Sequence, residues 1–212
     1  AHLAKQSHKI APIALRVNPD IDAHTHPYIS TGLKENKFGM SVAEVKNLYL
    51  QAKNIESLKI IGIDCHIGSQ ITQPEPFIQA LDCLSDIVTD LKTQGIHLAH
   101  LDIGGGLGIA YQQENIPSIN TYIQALLAKI KSPADLELII EPGRALIGNC
   151  AVLLTQSLYK KHNGEQHFLI VDAGMNDLLR PALYQAWHEI MPVERCDDEP
   201  KITYDVVGPV CE

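Results

Sequence analysis

The feature that most constrains the fold is an alternation of short apolar runs with helix-like stretches through the first two thirds of the chain. Ser41 with Glu44 forms a capping box that opens one helix, Gly95 ends a second, and Ser118 opens a third. The runs that predict strands are residues 14–17, 59–65, 98–103 and 136–140. Strands and helices that alternate at this spacing predict βα units on a parallel sheet.

The pattern changes after about Ala145. Residues 146–159, 168–173 and 202–207 are strand-like, with little helix between them. We therefore expect a partial βα domain over residues 1–144 and part of a mostly β domain over residues 145–212. Four βα units occupy the first part, whereas a closed (β/α)8 barrel takes roughly 250 residues. Half a barrel and a doubly wound open sheet are both consistent with this count.

Charge and composition exclude several function classes. The chain carries 17 basic and 25 acidic residues, for a net charge of −8, and no run rich in lysine and arginine. Nucleic acids and anionic membranes are therefore not expected partners. The longest apolar stretch is far shorter than the ~20 residues of a membrane-spanning helix. Five cysteines without CxxC spacing favour a reducing, cytoplasmic compartment, although a chain that starts at Ala1 leaves organellar targeting open.

Polar or glycine-rich clusters follow three successive predicted strands. They are HIGSQ at residues 66–70, GGGLG at residues 104–108 and EPGR at residues 141–144. Because the carboxyl ends of parallel strands meet at one edge, all three clusters are expected at the rim where α/β proteins bind ligands.

Each cluster alone has a simpler explanation. The glycine run could be a flexible turn, Glu141 and Arg144 a surface ion pair, and His66 an ordinary buried histidine. Together they indicate more, because glycines can bring backbone N–H groups to a phosphate while an imidazole stacks on a flat ring. A carboxylate can hold a ring nitrogen protonated. This combination suits pyridoxal phosphate, which acts as an electron sink in catalysis.

Six motifs follow one another along nearly the whole chain. They are LRVNPDIDAHTHPYISTGLKENKFGM (15–40), GIDCHIGSQIT (62–72), LDIGGGLGIAY (101–111), IIEPGRALIGNCAVLLT (139–155), VDAGMNDLLRPALYQAWH (171–188) and DVVGPVCE (205–212). In these motifs the chain resembles the fold-type III pyridoxal-phosphate decarboxylases. The resemblance implies the second half of a (β/α)8 barrel of the alanine-racemase type, followed by part of a C-terminal β domain. It also implies a homodimer whose subunits share active sites.

The resemblance assigns cofactor-binding roles to residues of the three clusters. It implies that His66 stacks on the cofactor ring and that Glu141 pairs with the pyridinium nitrogen. Arg144 would contact the phosphate or the substrate. The phosphate would be held by Ser69, Gly104, Gly105, Gly106 and Gly143.

The resemblance also assigns residues to substrate and catalysis. Arg180 and Tyr184 would bind the far end of an amino-acid substrate. Cys211 would be the catalytic proton donor and Glu212 a substrate ligand, both reaching into the site of the other subunit. Without the motif, Arg180 would be an ordinary surface arginine and Cys211 a small buried residue. His24 and His26 alternate as metal ligands can, but two ligands are too few for a metal site.

Within the family, the motifs are most similar to the branch that converts meso-2,6-diaminopimelate to L-lysine and CO2, the last step of lysine biosynthesis. That substrate keeps an amino-carboxylate at its far end, which a planar cation such as Arg180 can grip through two hydrogen bonds. Ornithine, arginine or carboxynorspermidine decarboxylases of the same fold are alternatives. A non-catalytic homologue acting through binding, or a phosphate-binding barrel unrelated to pyridoxal phosphate, also remains open.

One family feature is missing from the sequence. The family attaches its cofactor to a lysine in an early strand, in a motif like YAxKAN, and none of the 13 lysines here lies in that context. A late tyrosine used by the family is also absent. We therefore expect an internal fragment of a chain about twice as long, which would be inactive when isolated.

Overall fold

The structure is a computed structural model, and it describes residues 1–22, 37–130, 136–194 and 202–211. The chain forms two compact units. The first comprises Ala1–Ala110 and Asn115–Asn149, and the second comprises Tyr111–Glu114 and Cys150–Glu212. The predicted boundary between two domains after residue 144 stays a prediction. No helix in the described part of the chain is long and apolar enough to cross a membrane.

Four parallel strands form the sheet of the first unit. They are β1 (Ala11–Val17), β2 (Leu58–Cys65), β3 (His100–Asp102) and β4 (Glu137–Ile139). Their spatial order follows the chain, β1-β2-β3-β4. A doubly wound sheet reverses its order at a switch point, whereas a barrel adds each strand beside the last. The consecutive order therefore supports a part of an α/β barrel rather than the open-sheet alternative.

Three helices of the first unit follow the predicted signals, and two short ones, the first and the last, were missed by the sequence analysis. They are α1 (His2–Gln6), α2 (Val42–Ala52), α3 (Glu75–Thr93), α4 (Ile119–Leu127) and α5 (Arg144–Ile147). The capping box of α2 is confirmed, since Glu44 N–H donates to Ser41 Oγ at 3.3 Å and Ser41 N–H to the Glu44 carboxylate at 3.0 Å. Ser118 Oγ caps α4 by accepting from Thr121 N–H at 3.1 Å.

The core of the first unit lies between the sheet and its helices. Phe77, Leu84 and Leu91 share the predicted stripe of α3 and are fully buried. Each such side chain contributes about 1.5–3 kcal/mol when it leaves water. Tyr49 of α2 is also buried, and its hydroxyl donates to the Gly62 carbonyl at 2.6 Å. The packed layer fixes the strands whose ends carry the predicted site.

The second unit has a three-stranded sheet. Its strands are β5 (Ser157–Asn163), β6 (Gln166–Val171) and β7 (Asp205–Val207), and a short helix α6 spans Arg180–Tyr184. β5 and β6 pair antiparallel as a hairpin, and β7 pairs parallel with β6. The predicted strand over residues 168–173 is confirmed as far as Val171, and the one over 202–207 is confirmed for its last three residues.

The predicted strand over residues 146–159 is wrong for most of its length. It begins inside helix α5, and β5 starts only at Ser157. A strand needs a partner for its backbone groups, and β6 pairs Ser157 with Val171, its own last residue. Apolar composition alone could not show where that partner ends.

Candidate active site

Strand register brings the three predicted clusters to one edge of the first unit. Asp64 of β2 pairs with Asp102 of β3, which pairs with Ile139 of β4. Two residues further along each strand lie His66, Gly104 and Glu141. The predicted convergence of the three strand ends is therefore confirmed.

Hydrogen bonds join the three strand ends. Gly105 N–H donates to His66 Nδ1 at 3.2 Å, and Glu141 N–H donates to the Gly104 carbonyl at 2.9 Å. Because Nδ1 accepts a hydrogen bond, the neutral His66 imidazole carries its hydrogen on Nε2. The ring orientation and the tautomer of His66 are thus set by the glycine loop.

The glycine loop is packed too closely for side chains. A Cβ on Gly105 would lie 2.2 Å from the Glu141 carbonyl oxygen, and one on Gly106 would lie 2.2 Å from the Gly68 carbonyl oxygen. Gly104 and Gly106 also have φ values of +71° and +114°, which L side chains rarely adopt. The loop therefore requires glycine for close backbone approach, as a phosphate cradle does.

Two of the three glycine N–H groups of the loop have acceptors within the protein. The N–H of Gly104 donates to Asp102 Oδ1 at 2.8 Å, and that of Gly105 donates to His66. Both donors therefore have protein acceptors. Within the described ranges, no hydrogen bond from the N–H of Gly106 to the protein is found, so this is the glycine of the three best suited to an anion.

Ser69 and Arg144 meet at the same edge. Arg144 Nη2 donates to Ser69 Oγ at 3.2 Å, and Arg144 Nη1 donates to Gln70 Oε1 at 3.3 Å. Since Ser69 Oγ accepts from the guanidinium, its own hydrogen can donate to a further group. A hydroxyl beside a fixed cation suits a phosphate group. Gly143, which precedes Arg144, faces open space, because a Cβ there would have no atom within 4 Å.

Gln70 is a site residue that the sequence analysis did not assign. Its amide bridges the main chain of Ile109, with Nε2 donating to the carbonyl at 2.6 Å and Oε1 accepting from the N–H at 3.2 Å. Ile71 N–H donates to the Gly106 carbonyl at 2.9 Å beside it. Gln70 itself has a φ of +59°, a conformation that costs a residue with a side chain about 1–2 kcal/mol. A polar residue directly after HIGS was the only signal in the sequence.

A second missed feature is a charged row across three strands, formed by Arg16, Asp64 and Asp102. The register places Arg16 beside Asp64 and Asp64 beside Asp102. Burial raises the pKa of Asp64 to about 6, and the carboxylates of Asp102 and Glu141 add to this shift while Arg16 opposes it. Asp64 and Asp102 lie two residues before His66 and Gly104 in the chain. Polar residues inside apolar runs were its only sequence signal.

The charged row also acts on His66. Burial lowers the pKa of His66, as does the Arg16 guanidinium, while the carboxylates of Glu141 and Asp102 oppose the shift. Arg16 Nη2 also donates to the His66 carbonyl at 3.4 Å. The imidazole is therefore biased toward its neutral form, which is the form that can accept from Gly105.

The residues present fit a flat, phosphorylated ring. They comprise a neutral imidazole held in one orientation, a nearby carboxylate in Glu141, and an anion-binding group made of Ser69, Arg144 and the Gly106 N–H. An open side at Gly143 gives the phosphate end of such a ring room. This combination of a π face, a carboxylate and a phosphate cradle is the one expected for pyridoxal phosphate.

The other predicted site residues belong to the second unit. Arg180 and Tyr184 begin and end helix α6, and both side chains are half-buried. Cys211 is exposed, so the structure does not show the buried, packing cysteine that its sequence alone suggested. Glu212 lies outside the described residues, as do His24 and His26. The roles of all these residues stay predictions.

Comparison with known proteins identifies the family. The profile described as "Pyridoxal-dependent decarboxylase, pyridoxal binding domain" matches residues 1–148. A diaminopimelate decarboxylase of Haemophilus influenzae is 53% identical over 210 residues, which cover 99% of this chain and 51% of the relative. One from Vibrio cholerae is 52% identical over 202 residues, which cover 95% and 48%.

A solved structure agrees with these relatives. The crystal structure of diaminopimelate decarboxylase from Helicobacter pylori complexed with L-lysine has a TM-score of 0.92 and 44% identity, covering 100% of this chain and 52% of that chain. The chain therefore belongs to the pyridoxal-dependent decarboxylase family, and its first unit is part of the pyridoxal-binding domain. It spans about half the length of the curated relatives it matches.

Proposed function

We propose that the complete protein decarboxylates meso-2,6-diaminopimelate to L-lysine and CO2 with pyridoxal phosphate as cofactor. One observation carries the proposal: identity above 50% to relatives named diaminopimelate decarboxylase, across 95% or more of this chain. The geometry of the first unit supports the cofactor part, since a fixed imidazole, a carboxylate and an anion-binding group meet at one edge.

In this proposal the first unit holds the cofactor. Glu141 would pair with the ring nitrogen and keep it protonated, and His66 would pack on the ring face. Ser69, Gly106, Gly143 and Arg144 bind the phosphate, with Gly104 and Gly105 supporting the loop. When bound, pyridoxal phosphate supplies an electron sink for the pair of electrons left by the departing carboxylate. The protein contributes orientation and charge stabilisation.

The second unit supplies the substrate-binding and proton-donating groups of the proposal. Arg180 binds the carboxylate at the far end of the substrate, with Tyr184 beside it and Glu212 taking the ammonium. Cys211 holds a proton on Sγ and delivers it to the reacting carbon after CO2 leaves. We expect a homodimer in which Cys211 and Glu212 serve the site of the other subunit. We also expect the enzyme in the cytoplasm.

A substrate comparison tests the proposal. The complete protein, loaded with pyridoxal phosphate, is assayed for CO2 release from meso-2,6-diaminopimelate, ornithine, arginine and carboxynorspermidine at equal concentrations. Release from diaminopimelate alone is the expected result. Preference for ornithine would overturn the role of Arg180, and no turnover of any substrate with cofactor bound would favour a non-catalytic homologue. Failure to develop cofactor absorbance would overturn the pyridoxal-phosphate site.

A further inference from the structure

Three side chains of the second unit form an interlocked cluster around Arg180. The guanidinium carbon lies 4.4 Å from the centre of the Tyr111 ring, and Arg180 Nη1 is 2.9 Å from His188 Nε2. The Tyr111 and His188 rings meet edge to face, with centroids 5.2 Å apart and planes at 75°. All three side chains are half-buried.

The chemistry of the short contact fixes the state of His188. A guanidinium has five N–H donors, no acceptor, and keeps its charge at any ordinary pH. Nε2 of His188 must therefore accept from Arg180, which requires a neutral imidazole with its hydrogen on Nδ1. A charged imidazolium would lack the acceptor and would repel the guanidinium.

The backbone is shaped to make this contact. Gln185 caps the end of helix α6 with a left-handed φ of +51°, and Ala186 N–H donates back to the Arg180 carbonyl at 3.3 Å. This closing turn brings His188, eight residues along the chain, to the side chain of Arg180. A left-handed glutamine at a position that usually carries glycine shows that surrounding contacts hold the turn.

The cluster removes conformational freedom from Arg180. A free arginine side chain carries about 2 kcal/mol of rotamer entropy, which binding a carboxylate would otherwise have to offset. Tyr111 restricts the plane of the guanidinium through the ring face, and His188 restricts its rotation within that plane. The bond to His188 fixes one of the guanidinium nitrogens and so orients the planar fork that matches a carboxylate.

We propose that neutral His188, with Tyr111 as the platform, is a positioning residue that orients Arg180 to bind the carboxylate at the far end of the substrate. His188 would thereby help to select an amino-carboxylate end over a bare ammonium end. The inference rests on the proposed function, in which Arg180 is the carboxylate ligand, and extends it to a residue that contacts no substrate.

Kinetics of the complete, cofactor-loaded protein test the inference. His188→Leu removes the acceptor, and we expect KM for meso-2,6-diaminopimelate to rise about tenfold, as loss of one charge-assisted hydrogen bond predicts, while kcat stays within about threefold. Inhibition by L-lysine, which retains the far carboxylate, should weaken in parallel. Inhibition by 1,5-diaminopentane, which lacks that carboxylate, should not change.

Two matched variants separate positioning from general damage. His188→Gln offers Oε1 as an acceptor and should restore most of the lost affinity for diaminopimelate and L-lysine. His97→Leu, at an exposed histidine of the first unit, should behave as the wild type. The absorbance of bound cofactor should be the same in all three variants. If His188→Leu does not fold, His188→Met takes its place, and equal KM values for His188→Met and His188→Gln would overturn the inference.

A benchmark variant distinguishes failure of the inference from failure of the proposed function. Arg180→Met should raise KM at least as much as His188→Leu, and the double variant should add nothing further, because both remove one oriented cation. A raised KM in Arg180→Met together with an unchanged KM in His188→Leu would overturn the role of His188 and leave the proposed function intact. A wild-type protein that binds cofactor but does not turn over diaminopimelate would overturn the function itself.

Discussion

The N–H of Gly105 donates to Nδ1 of His66 over 3.2 Å, and the same residue packs against the backbone of Glu141. A Cβ at this position would lie 2.2 Å from the Glu141 carbonyl oxygen. The same glycine therefore aligns the imidazole that is proposed to pack on the cofactor and lets the Glu141 strand end come close. The backbone N–H of Gly105 serves His66, and the absence of a side chain serves the approach to Glu141.

Gly105→Ala should destabilise the complete protein, because the added Cβ has to displace backbone rather than a mobile side chain. We expect a loss of about 1–3 kcal/mol in the free energy of unfolding of the cofactor-free protein, measured by urea denaturation. Gly143→Ala is the matched control, since its Cβ would meet nothing within 4 Å. It should unfold like the wild type yet bind pyridoxal phosphate more weakly. Equal stability of both variants would contradict the packing argument.

Gln70→Met should weaken cofactor binding, because the loop after β2 and the glycine loop after β3 would be joined less firmly. The variant loses both hydrogen bonds to Ile109 and the acceptor for Arg144. We expect the Kd for pyridoxal phosphate, measured by absorbance titration of the cofactor-free protein, to rise about tenfold or more. Gln79→Met, at an exposed position of α3, should leave it unchanged. An unchanged Kd in Gln70→Met would show that the loops hold their places without the amide.

The parts of the fold that follow local rules could be predicted from the sequence. Ser41 and Ser118 cap their helices through bonds between residues three apart in the chain, and such bonds need no tertiary information. The meeting of His66, the glycine loop and Glu141 also followed, because parallel strands of βα units present the same end at one edge.

The features that were missed depend on long-range pairing. Arg16, Asp64 and Asp102 are far apart in the chain, and only the strand register makes them neighbours. The clamp between Gln70 and Ile109 likewise joins two loops whose spacing the sequence does not give. The length of β5 is set by the end of β6, which apolar composition over residues 146–159 could not show.

Tyr49→Phe tests the packing of α2 on the sheet. The Tyr49 hydroxyl donates to the Gly62 carbonyl at 2.6 Å and accepts from Leu15 N–H at 3.1 Å, and burial raises its pKa to about 12. Removing the hydroxyl leaves two backbone groups of adjacent strands without this partner, so we expect a loss of about 1–3 kcal/mol in urea denaturation. Tyr159→Phe, at an exposed tyrosine of β5, should cost little. Equal losses would show that the hydroxyl does not stabilise the sheet.

The charged row predicts a pH-dependent contribution of Asp64 to stability. The folded-state pKa of Asp64, about 6, is above its ordinary value of 3.8, so the folded protein binds the proton more tightly than the unfolded chain does. The contribution of this carboxyl to stability is therefore favourable below pH 4, declines as the pH rises, and becomes a full penalty above pH 6.

Asp64→Asn should accordingly stabilise the complete protein at pH 7 by up to about 1–2 kcal/mol, after allowance for solvent screening of a half-buried group, and by nearly nothing at pH 4. Urea denaturation at both pH values, with the exposed Glu56→Gln as a control that follows the wild type, measures the difference. Equal effects of Asp64→Asn at the two pH values would mean that the Arg16 guanidinium stabilises the ionised carboxylate as well as water does in the unfolded chain.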